Sequence, residues 1–138
     1  MSSTIFGSHD DSEWHVPNEV FWTVLERGTN VGMESAQSAI ETAWVQSLKA
    51  KLDYERHPDS PMQTYSPDVM IDDLFASGDE MAFWANVFLE VALRERRRPC
   101  DAADEQTVAR SVKLIWAIYG LAKFLRHEAR VRGAMPAW

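Results

Sequence analysis

With one cysteine, Cys100, among 138 residues, the chain has no partner for an internal disulfide, and a reducing compartment is the expectation. Long apolar runs are missing too. The most apolar stretch, Met81 to Leu93, is broken by Asn86 and Glu90 and falls short of the roughly 18 residues a membrane span needs, so no membrane partner is expected. The opening MSSTIFGSHDDSEW has neither a basic n-region nor an apolar h-region; no secretory leader is expected, and the cytoplasm is the predicted location. Gly-rich phosphate loops, G-x-S-x-G elbows, H-E-x-x-H and C-x-x-C spacings do not occur, which removes the commonest signatures of nucleotide, hydrolase, zinc-protease and redox chemistry. Strand-like alternation, repeats and low-complexity tracts are not read either.

Positive charge is scarce in the front of the chain. Residues 1–80 hold 15 Asp/Glu against 4 Lys/Arg, a balance of −11; residues 81–138 hold 6 against 10, a balance of +4. The total of −7 argues against nucleic acid as a partner. What the chain does have in quantity is tryptophan, six in all, each able to bury a large area.

The stretch Asp101 to Arg132 organises the rest. Val108, Val112, Leu114, Ile115, Ile118, Tyr119, Leu121, Ala122 and Leu125 cover a broad half of a helical wheel, and Arg110, Lys113, Lys123, His127 and Arg130 the other half. So wide an arc suits a helix with two or more neighbours. Gly120 sits mid-helix, and a closely packed neighbour is the reading for it. Upstream, Pro17 to about residue 27 predicts a short helix stopped by Gly28. A longer one follows from Met33 to His57 and ends at Pro58 and Pro61. Ser66-Pro67-Asp68 predicts a short helix to Ala76. The stretch 79–98 is so apolar that it belongs in a bundle's middle or an interface. Residues 1–15 are read as a flexible lead-in, and 16–138 as a single helical domain. The predicted fold is all-α: an antiparallel helical bundle of four main helices plus one short helix.

Few residues invite chemistry. His9, Asp10, Asp11 and His15 are candidate metal ligands, but ordering a flexible segment opposes that, and neither metal nor cofactor is expected. Cys100 stands near Arg97 and Arg98, cations that favour a thiolate, with no adjacent histidine as base. Glu90 is the best buried-carboxylate candidate, yet Arg94 one turn on makes a paired surface charge the simpler reading. Arg94, Arg96, Arg97 and Arg98 end a helix, where its dipole favours cations. The run lacks interleaved aromatics for stacking bases.

The acidic residues resist such explanations. Asp68, Asp72, Asp73, Asp79 and Glu80 place five carboxylates within thirteen residues, with no base among them. Tyr65 and Phe75 are the nearest aromatic anchors. The leading expectation is a non-enzymatic binding module whose acidic face docks a basic protein partner. In size, acidity and helical content the chain is similar to bacterial immunity and antitoxin proteins as a broad class, with no motif that assigns a family. The alternatives are a structural homodimer through the 79–98 or 101–132 helix, and a ligand binder or enzyme with an inter-helix pocket near Glu90, Trp84 and Trp116.

Overall fold

The all-α expectation is overturned at the amino terminus. The computed structural model describes residues 2–8, 12–55, 68–97 and 105–138. Two strands come first, β1 (Ser2–Phe6) and β2 (Glu13–Pro17), in the stretch read as a lead-in. Their antiparallel register sets Ile5 opposite Trp14 and Ser3 opposite Val16. A third strand, β3 (Asp68–Met70), pairs in parallel with the other edge of β1, Ile5 opposite Val69, giving a mixed sheet in the order β2-β1-β3. Residues 68–70 therefore extend where a helix was predicted. The helical bundle is instead a layer of helices carrying a small sheet.

The physical reason is local composition at a scale too short for periodicity. Thr4-Ile5-Phe6 and Trp14-His15-Val16 are β-branched and aromatic, and Gly7 with Ser12 brackets the reversal between them. In β2, Trp14 and Val16 turn inward while His15 stays exposed. Trp14 donates its indole N–H to the Ala117 carbonyl at 2.9 Å, fastening the hairpin to the long C-terminal helix.

Five helices lie in the described residues: α1 (Asn18–Ser35), α2 (Ala39–Glu55), the four-residue α3 (Ile71–Leu74), α4 (Gly78–Arg97) and α5 (Glu105–Val131). Gly28 does not stop α1. It is buried in mid-helix, and one turn later Gly32 is buried too. A β-carbon on Gly28 would stand 2.4 Å from the Phe88 ring, and one on Gly32 would stand 3.2 Å from Trp84 and 3.1 Å from Val45. The i, i+4 spacing puts both glycines on one face, and the absent side chains form the seat for two α4 rings. Around that seat sits the core: Trp84, Phe88, Phe75 and Met81 against Leu25, Val45 and Leu48.

α4 and α5 run antiparallel, so the start of α4 meets the end of α5. Arg132 and Ala134 lie beside Gly78. α5 then stops at Gly133, in the left-handed region at φ +82. Ala134 N–H bonds the Ala129 carbonyl (2.9 Å) and Gly133 N–H the Arg130 carbonyl (3.0 Å), which satisfies the last carbonyls and turns the tail back over the helices. Only the C-terminal part of α5 is buried: Ile118, Leu121, Ala122, Phe124, Leu125, Glu128 and Ala129 face inward, whereas every residue from Glu105 to Lys113 is exposed.

At Gly120 the expected neighbour is Trp14, 3.8 Å from where a β-carbon would stand, an ordinary van der Waals distance. The glycine is therefore not required there. Gly120→Ala should raise stability by about 1 kcal/mol, the helix-propensity difference, read as a higher denaturant midpoint.

Candidate functional site

The five clustered carboxylates separate in the fold. Asp68, Asp72, Asp73 and Asp79 are exposed, around α3 and the start of α4. Glu80 is 3% exposed and serves the helix start. Its Oε1 accepts the Ala76 N–H (2.8 Å), its Oε2 accepts the Trp84 indole N–H (3.1 Å), and its own N–H donates to Ser77 Oγ (3.2 Å). Ser77 thus caps α4 while Glu80 reaches back one residue further, to Ala76, and the Ser-x-x-Glu spacing was present in the sequence to be read. Phe75, proposed as an anchor, is fully buried against Trp84, their ring centroids 6.1 Å apart. Tyr65 lies outside the described residues, as do Cys100, Arg98, His9, Asp10 and Asp11.

Distant bases also reach the acidic end. Arg132 pairs with Asp72 at 2.8 Å, and the Lys51 ammonium donates to the Leu74 carbonyl at 3.1 Å. Asp73 accepts the Met70 N–H at 3.2 Å. Asp72 and Asp73 keep their exposure, but their charge is partly met from within the molecule.

A buried carboxylate does exist, in a place the sequence did not suggest. Glu128 on α5 has no exposed surface. It accepts hydrogen bonds from Ser8 Oγ (2.9 Å), Ser12 Oγ (2.9 Å) and Ser8 N–H (3.4 Å), with Arg132 Nε 4.0 Å away. Partners come from residues some 120 positions earlier, so no local spacing could reveal it. Its lone pairs are taken up in tying the β1–β2 turn to α5, a structural use. Glu90, the earlier candidate, is paired with Arg94 at 3.3 Å, and Arg94 reaches Glu34 on α1 at 2.6 Å. Those bonds, to Glu34 first and Glu90 second, hold the exposed Arg94 guanidinium above its ordinary pKa. Among the described residues no group of three or more His, Cys, Asp or Glu is placed to hold a metal, and no helix is long and apolar enough to cross a membrane.

An apolar recess lies at the other end of the α4–α5 pair. A groove of about 540 Å³ is lined, among the described residues, by Leu89, Ala92, Leu93 and Arg96 from α4 and by Val112, Ile115, Trp116 and Tyr119 from α5. Residues 89, 92, 93 and 96 share one helical face, as do 112, 115, 116 and 119. Trp116 is 67% exposed, and Val108 and Val112 continue its stripe in the open. Trp84 is buried in the core and Glu90 is absent from the lining, so the pocket imagined between Glu90, Trp84 and Trp116 forms around Trp116 alone. From Gly78 to Leu93 along α4 is roughly 20 Å, which separates the acidic end from this groove.

Compared with family models, curated proteins and solved structures, the chain matches none.

Proposed function

We propose that the chain is a non-enzymatic module that binds another protein, with the α4/α5 groove as its anchor site. The observation that carries this reading is Trp116, two-thirds exposed on the lip of an apolar groove instead of in the core. Large solvent-facing apolar patches are uncommon on monomers, and tryptophan is enriched among the residues that dominate binding energy. The described lining holds Arg96 as its one charged group and no carboxylate, histidine or hydroxyl besides Tyr119, a poor set for catalysis but a good one for an apolar contact.

The test is co-purification from the native host with Trp116→Glu beside the natural chain. The expected result is one stoichiometric protein partner, weakened about 30-fold or more by the substitution, with the melting curve of the free chain unchanged because the side chain makes little of the core. Retention of the partner by Trp116→Glu would sink the groove as the anchor. A homodimer is the competing use of the same face, and a concentration-independent monomer in light scattering excludes it.

The four exposed aspartates favour a second reading, in which the acidic end steers a basic protein in the manner of an immunity or antitoxin-like neutraliser. Under it, Asp72→Lys with Asp73→Lys slows association by about tenfold at low salt and has less effect as salt rises. An unchanged rate constant would rule out that face.

A further inference from the structure

Along the α4/α5 furrow the chain already seats one segment of itself. Past Gly133 the tail runs back over both helices, where Trp138 stacks on Tyr119 at 6.0 Å and donates its indole N–H to the Ala85 carbonyl at 3.3 Å. The Arg126 guanidinium lies 4.3 Å from the Trp138 ring, and Ala137 N–H bonds Asn86 Oδ1 at 3.1 Å. One half of the furrow thus holds a passing chain by an aromatic anchor, backbone hydrogen bonds and a cation. The groove begins where Trp138 ends, at Leu89 and Tyr119, and continues to Arg96 and Val112.

We infer that this open half takes an amphipathic helix of another protein, apolar over about two turns and acidic along its flanks. The inference rests on the groove reading above and adds the chemistry of the occupant. Two antiparallel helices leave a furrow in which a third packs at about 8–10 Å. From Val112 to Tyr119 the lining advances roughly 10 Å, the i to i+7 reach of anchors on a docked helix. The flanks are basic. Arg96 is in the lining, Arg97 and Lys113 are exposed beside it, and Lys123 sits 5.7 Å over Tyr119 at the far end. On the other side of the account, Glu90 is engaged by Arg94, and Glu105 stands exposed at the very start of α5. A second copy would present a furrow of the same sign, whose described lining holds Arg96 and no carboxylate to pair with it. Single-stranded nucleic acid would stack on a row of free aromatic faces; Trp116 offers one, while Tyr119 and Trp138 cover one another and carry Lys123 and Arg126.

The experiment is calorimetric titration of the full chain with helical peptides of about 15 residues. They share leucines at i, i+3, i+4 and i+7 and differ only in flanks of Glu or Lys. The Glu-flanked peptide should bind about tenfold tighter at roughly 0.1 M salt, with the gap closing as salt rises. Arg96→Glu combined with Lys113→Glu should reverse the order, and Trp116→Glu should abolish binding of both. Equal or tighter binding of the Lys-flanked peptide overturns the acidic occupant while leaving the groove reading in place. Peptide binding indifferent to Trp116→Glu overturns both. If neither peptide binds, the inference fails, and the host co-purification above decides the groove reading independently; a Trp116-dependent dimer in that case assigns the face to a second copy.

Discussion

Trp84→Ala should cost about 4 kcal/mol and lower the melting temperature by roughly 15 °C. Trp84 is fully buried, with rings of Phe75, Phe83 and Phe88 at centroid distances of 6.1, 5.3 and 5.7 Å. Truncation opens a cavity bounded by aromatic side chains and the α1 backbone at Gly32, which cannot collapse to fill it. It also removes the indole N–H from Glu80, leaving part of a buried carboxylate without its donor. Trp84→Phe separates the two contributions. It keeps much of the volume and loses the hydrogen bond, so about 1–2 kcal/mol is expected. Denaturant titration followed by circular dichroism measures both. Equal losses in the two variants would show that the hydrogen bond, and not the packing, carries Trp84's contribution.

Gly28→Val should cost about 3 kcal/mol, against the usual gain from replacing a mid-helix glycine. A β-carbon at 2.4 Å from one Phe88 ring carbon and 2.5 Å from another leaves no space, and Phe88 is itself fully buried and unable to swing away. Gly32 is more forgiving, with its nearest neighbours at 3.1–3.2 Å, so Gly32→Ala should cost less than Gly28→Ala. The pair Gly28→Ala and Phe88→Leu should be less damaging than the sum of the singles, since the smaller side chain vacates the contested volume. A double-mutant cycle by chemical denaturation reads this coupling. Strict additivity would mean that α1 and α4 do not meet at Gly28.

Both effects concern the same contact, and its visibility before folding differs by residue. The apolar crowding of 79–98 is plain in the chain, and α4 occupies Gly78–Arg97. The arc on 101–132 likewise corresponds to α5 at Glu105–Val131, although Val108 and Val112, counted in that arc, lie exposed. Gly28 read as a terminator because glycine ends helices far more often than it seats a ring. The hairpin was legible in principle, since Trp14 and Val16 alternate with His15 and turn residues precede them. Each strand is only five residues long, near the short end of the span over which alternation shows, and β1 (SSTIF) does not alternate in sequence. β3 offered less still: three residues behind a Ser-Pro-Asp helix signature, drawn into a strand by the open edge of β1.

The candidate sites divide along the same line. Four of the clustered acids remain at the surface, but Glu80 caps α4 and Phe75 fills the core, roles set by neighbours brought in from elsewhere. The groove around Trp116 depends on how α4 and α5 sit side by side, which no wheel projection contains.

Helical periodicity, the two long C-terminal segments and the acidic-to-basic gradient follow from residue order, because they depend on neighbours three or four positions apart. The sheet, the glycine seat beneath Phe88, the burial of Glu128 and the exposure of Trp116 belong to the folded chain. Each depends on which distant surfaces meet, and a position's side chain carries no record of the partner that will cover it or leave it open.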